Sequence, residues 1–142
     1  MNFEGTPLYQ EIERGAPITY TLEKIREALP EEDEDLQGMC EDVAQCTDRY
    51  LLSVLAYQRI NPNMRNKDVE IIDSNRRITH NSLCDKLRIL ARLSQANGVN
   101  TEWWDGPGGM RDDRNIIKQW ALKTAFNRLR NQVNEERQGS AI

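Results

Sequence analysis

The residues best placed to do chemistry in this chain of 142 residues are Asp73, Arg76, Arg77, His80, Asn81 and Cys84. Asp73, Arg77, His80 and Cys84 follow one another at steps of four, three and four, a spacing that brings side chains onto one face of an α-helix. A carboxylate, a guanidinium, the chain's single imidazole and a thiol then share one stripe. A histidine beside guanidiniums is harder to protonate, because like charges repel, and can accept a proton near neutral pH. Arg76 and Arg77 beside it can hold a phosphate or a carboxylate and steady developing negative charge. The same atoms have a plainer use. Asp73 and Arg77 make an ion pair one helical turn apart, His80 lies at the edge of an apolar stripe as a neutral imidazole bonded to a backbone group, and Asn81 and Arg76 tie the helix to the preceding loop.

The element that positions these groups is a long helix expected over 68–97. Its apolar stripe is read at Ile72, Leu83, Leu87, Leu90 and Leu93, and Asn97-Gly98 supplies its stop signal. Before it, a helix over 36–60 carries Leu36, Cys40, Val43, Thr47, Tyr50, Val54 and Tyr57 at alternating steps of four and three. Leu51 and Leu55 widen that stripe, and Asn61-Pro62 ends the helix. A last helix over 112–136 contributes Ile116, Ile117, Trp120, Leu122, Phe126, Leu129 and Val133, with Ala121 and Ala125 permitting close approach, before a frayed tail over 137–142. Two short helices precede the three long ones. One spans 7–14 after Thr6-Pro7, and the other runs from the capping Thr21 to Leu29, where Pro30 stops it. The acidic run Glu31-Glu32-Asp33-Glu34-Asp35 is read as complementing the positive end of the following helix rather than as a partner-binding tract. The expected fold is therefore all-α: a single helical domain over 1–142, with short helices and an acidic segment in 1–35 and a compact bundle core over 36–136.

Between the last two long helices, Val99–Arg111 reads as a loop holding Trp103-Trp104-Asp105-Gly106-Pro107-Gly108-Gly109. Neighbouring tryptophans point about 100° apart on a helix, so one plugs the domain while the other lies at the surface as a candidate partner or ligand contact. The glycines do not make a phosphate-cradling loop. The Gly-Lys-Ser/Thr ending is missing, and Asp112-Asp113 would compete with a phosphate for the next helix N-terminus.

Composition narrows the classes further. Hydrophobic residues make up 38% and charged residues 30%, which suits a soluble domain with a modest core. No apolar run approaches the roughly 20 residues that span a bilayer, and the N-terminus lacks the basic and apolar regions of a signal peptide, so a cytoplasmic address without membrane contact is expected. Cys40, Cys46 and Cys84 are odd in number, Cys40 and Cys46 fall on different sides of one helix, and neither a metal site nor a cofactor is expected. Residues 1–60 hold 13 acidic and 5 basic side chains, an excess of eight negative charges, whereas residues 61–142 hold 10 acidic and 14 basic, an excess of four positive. Without a block of consecutive Lys or Arg, that asymmetry favours packing of an acidic half on a basic half over a nucleic-acid surface.

The Arg76-Arg77-x-x-His80-Asn81 stretch resembles the Arg-and-His pair of the HEPN family of helical ribonucleases, in which the pair lies on a helix and often acts across a dimer interface. The family's spacing is slightly longer: here three residues separate Arg76 from His80 and two separate Arg77 from it. The resemblance implies a metal-independent ribonuclease with His80, Arg76 and Arg77 as catalytic groups. The same stretch, with its helical body and Trp-Trp loop, is also similar to small bacterial or phage all-helical proteins of unknown function. From the residues themselves the leading expectation is a non-enzymatic interaction module that binds a protein partner or itself. Asp73, Arg77, His80, Asn81, Trp103 and Trp104 are its candidate contacts. Self-association is expected through Trp103 or Trp104 with Ile116 and Trp120.

Overall fold

Helix boundaries follow from side chains that satisfy free backbone groups. The computed structural model describes residue 10 and residues 20–140, with side chains through 132. Helix α1 (Leu22–Glu27) begins where Thr21 Oγ1 accepts the Lys24 N–H at 3.2 Å. Helix α2 (Glu34–Gln58) begins where Asp33 Oδ1 accepts the Leu36 N–H at 3.1 Å. Asp33 is thus the cap, and Glu34 and Asp35 sit in the first turn, where negative charge is favoured. Helix α3 (Asn66–Ala96) ends in a Schellman turn: the Gly98 N–H reaches Gln95 O at 3.1 Å and the Val99 N–H reaches Ser94 O at 2.9 Å. That turn needs Gly98 at φ 71°, a left-handed conformation in which a side chain is strained.

One turn of helix, α4 (Glu102–Asp105), interrupts the segment read as a loop. Helix α5 (Arg114–Ser140) starts two residues later than expected, because Asp113 Oδ1 accepts the Asn115 and Ile116 N–H groups at 2.9 and 3.3 Å. Its backbone stays helical through Ser140, past the point where the frayed tail is expected. The short helix expected over 7–14 lies outside the described residues apart from Gln10, and the Val133 side chain lies outside them too.

The architecture is all-α, and among the described residues no strand occurs. Helix α2 is the central member and packs on α1, α3 and α5. Leu36, Cys40, Val43, Thr47, Tyr50 and Val54 are buried as their spacing requires, but Tyr57 at its end is 41% exposed. Because α2 has neighbours on more than one side, Cys46 is buried as well as Cys40. On α3 the buried line is Leu83, Leu87, Leu90 and Ser94, again at steps of four, three and four. Leu93 is 38% exposed, and Ile72 is only half-buried. Ser94 takes the interior position that Leu93 is expected to fill; its hydroxyl is satisfied by Leu90 O at 2.7 Å, so burying it costs little. On α5, Ile117, Trp120, Ala121, Leu122, Thr124, Ala125 and Phe126 are all buried. Burial around so much of one helix is what the small Ala121 and Ala125 make possible. No helix among the described residues is long and apolar enough to cross a membrane.

Candidate functional site

Part of the expected polar stripe meets α2: His80 and its neighbours Arg76 and Thr79 touch that helix, whereas the Arg77 side chain is 67% exposed. Ser53 and Thr79 hydroxyls meet at 2.8 Å, the His80 ring lies 5.4 Å from the Tyr50 ring at 59°, and the Arg76 guanidinium sits 4.4 Å over the Tyr57 ring. Residues 50, 53 and 57 rise along α2 as 80, 79 and 76 descend along α3, so the helices run antiparallel and these three contacts stitch them together. Arg76 is also held by Asp73, Nη2 to Oδ1 at 2.8 Å, and the other oxygen of Asp73 takes Arg77 Nη2 at 3.2 Å. The hydrogen bond from Arg76, more than the charge of Arg77, keeps the Asp73 carboxyl below its ordinary range.

His80 is half-buried, and burial lowers its affinity for a proton. A hydrogen bond to the Arg114 backbone opposes that shift, and the charges of Arg114 and Arg76 reinforce it, leaving the ring harder to protonate than usual. Cys84 Sγ lies 3.8 Å from His80 Nδ1. Burial raises the thiol's pKa while it lowers the imidazole's, so both groups rest in their neutral forms and the pair lacks the thiolate of a nucleophilic Cys–His couple. Cys40 is pushed up to about 11 by burial, and Cys46 is raised for the same reason. Among the described residues no three His, Cys, Asp or Glu side chains converge where a metal ion would be held.

The tryptophan pair divides its work. Trp103 is 4% exposed and belongs to the core together with Trp120, whose indole N–H donates to Tyr20 O at 2.8 Å. Trp104 is half-buried, its ring 6.0 Å from that of Trp103. Ile116 is also partly buried against the core. Trp103 and Trp120 thus lie in the core of the chain, with Trp104 and Ile116 packed against it. The glycines after Trp104 fold the chain back tightly. Arg111 N–H donates to Trp104 O at 2.9 Å, and a Cβ on Gly109 would stand 2.5 Å from that same oxygen.

This fold-back builds an open groove of about 800 Å³ between the C-terminal half of α3, Trp104 and the start of α5. Asn81 and Cys84 reach its rim from the polar stripe, and Arg88, Arg92, Arg111 and Arg114 line it. Sequence reading singles out none of these four arginines. Arg88 and Arg92 are one turn apart on α3, which is a usable signal, but Arg111 and Arg114 join them only through the turn at Gly109. Of the expected site residues, the structure gathers Asp73, Arg76, Arg77, His80 and Asn81 on one helix. Trp104 faces the groove at the far end of that helix, and Trp103 lies in the core. Comparison with protein families, with characterised proteins and with solved structures finds no match for the chain.

Proposed function

We propose that the chain is a non-enzymatic interaction module, a small helical bundle that pairs with a second copy of itself along the outer face of α3. The observation that carries this reading is a line of exposed aliphatic side chains. Ile71, Ile78, Ile89 and Leu93 are 51%, 58%, 40% and 38% exposed. Their spacings of seven, eleven and four residues are all close to whole numbers of helical turns, so they lie in one stripe along the side of α3 away from Leu83, Leu87 and Leu90. Single exposed aliphatics are ordinary, but an aligned row along a 31-residue helix is the pattern of a helix that meets another. Ser82, small and exposed, lies near the middle of the row and leaves room for a second backbone there.

The polar stripe supports the same reading by what it is already doing. Arg76 is engaged by Asp73 and Tyr57, Arg77 by Asp73, and His80 lies against Tyr50. A ribonuclease built on His80 with Arg76 or Arg77 needs those groups turned towards a substrate, whereas His80 and Arg76 contact the α2–α3 junction and Arg77 pairs with Asp73 of its own helix. Light scattering across a range of concentrations tests the proposal. The wild type is expected to approach twice its monomer mass as concentration rises, and Ile78→Lys, on an exposed position, is expected to remain monomeric with an unchanged circular dichroism spectrum. A monomer at every concentration contradicts the reading.

A further inference from the structure

The groove beside Trp104 has no part in the proposed self-association, and its chemistry differs from that of the outer face. Four guanidiniums line it, against the carboxylates of Asp85, Asp105 and Asp112. Those carboxylates are partly committed. Asp85 takes Arg88 at 3.1 Å, and Asp105 accepts from Gln95 Nε2 at 2.8 Å and from Thr101 Oγ1 at 3.3 Å. Asp112 stands 3.9 Å from Arg111 and is itself 94% exposed, a contact worth little in water. Arg92 and Arg114 make no ion pair with a carboxylate among the described residues. Cations from α3 and from the start of α5 therefore face one space with an excess of positive charge. The N-terminus of α5 is not the attraction, since Asp113 already takes its Asn115 and Ile116 N–H groups. Guanidiniums suit phosphate oxygens because their N–H groups form a planar fork. Trp104 adds an aromatic surface on the same groove, held at 59° to the buried Trp103, and an aromatic face is what a nucleobase stacks on. A volume of about 800 Å³ lies within the usual range for a small-molecule site.

We propose that this groove binds a nucleoside phosphate, with Arg92, Arg111 and Arg114 on the phosphate and Trp104 against the base, either as a free nucleotide or as one unit of a single strand. Arg88 is partly occupied by Asp85 and plays the smaller role. The test is a titration of the full chain with AMP, with inorganic phosphate, with an eight-nucleotide single-stranded RNA and with polyglutamate, followed by calorimetry at two salt concentrations. AMP or the RNA is expected to bind, more weakly at high salt. Arg92→Gln, at an exposed position, is expected to weaken binding by about tenfold, as the loss of a charge-assisted hydrogen bond does. Trp104→Leu should weaken AMP while leaving phosphate unchanged, and Trp104→Phe should restore most of the AMP affinity, which separates stacking from a folding defect. A much tighter RNA octamer identifies the strand as the source of the ligand, and equal affinities identify the free nucleotide. Failure of both AMP and RNA to bind, binding unaffected by Arg92→Gln, or polyglutamate binding as tightly as either would overturn the assignment. None of these results depends on the oligomeric state read by light scattering.

Discussion

In the N-terminal half of α3, Arg76 is bound on two sides, by Asp73 at 2.8 Å and by the face of Tyr57 at 4.4 Å. In the C-terminal half of the same helix, Arg92 is exposed and opens onto a groove with other arginines around it. The residue type and the helix are the same, and what differs is the neighbouring element. The first half lies along α2, whose Tyr50, Ser53 and Tyr57 meet His80, Thr79 and Arg76 one by one. The second half is packed along Leu83, Leu87, Leu90 and Ser94, but on the side of Arg88 and Arg92 the chain turns through Trp104 and returns at Arg114, leaving a concave space. A cluster of polar residues at helical spacing is thus compatible with either a seam or a site, and the partner surface decides which.

Leu87 belongs to the same buried cluster as Tyr50 of α2, which meets His80, so the largest expected effect reaches both halves. Leu87→Ala, at a position with no exposed surface, should lower the free energy of unfolding in urea by about 2–5 kcal/mol and loosen both halves together. If hydrogen exchange showed only the groove end opening, the two halves would be separately stable units.

A smaller effect sharpens the difference. Ser53→Ala removes the hydroxyl that meets Thr79 at 2.8 Å, and it should cost about 0.5–1.5 kcal/mol without altering any property of the groove. Arg76→Gln should likewise lower the melting temperature, whereas Arg92→Gln should change stability by no more than about 0.5 kcal/mol. Equal melting temperatures for the two arginine variants would erase the contrast.

The smallest effect is a pH dependence confined to the first half. His80 in the folded chain binds a proton less readily than its ordinary value of 6.5, so the unfolded chain takes up the proton first as pH falls. The associated stability is therefore intact above about pH 6.5 and is lost as pH drops from there towards the lower folded value. Urea denaturation at about pH 7.5 and about pH 5.5 should show this loss in the wild type and a smaller one in His80→Gln. Asp73, whose carboxyl is held low by Arg76, contributes its own loss only at more acidic pH.

The helices were legible because their signals are local. Thr21 caps α1, Gly98 closes α3, and the steps of four and three in α2 predict Leu36 to Val54 as a buried line. The interior position of Ser94 instead of Leu93 was not legible, because the two differ by only one step of rotation and hydropathy favours the wrong one. The polar stripe could be read as a stripe but not as a seam, since nothing in residues 73–84 encodes the tyrosines of α2 opposite them. The groove was least legible of all. Its arginines come from two segments joined by a turn that depends on Gly109 lacking a side chain, where a Cβ would meet Trp104 O at 2.5 Å. That close approach is a property of three dimensions, and no spacing within one helix reveals it.

The claim that the first half of α3 is a seam is tested most directly by His80→Ala, followed by thermal melting and by RNA turnover beside the wild type. The seam account predicts that neither protein cleaves RNA and that the variant is less stable by about 1–3 kcal/mol, the cost of stranding the polar groups that the imidazole satisfies. Clear RNA cleavage by the wild type, lost in a variant that melts at the same temperature, would contradict it.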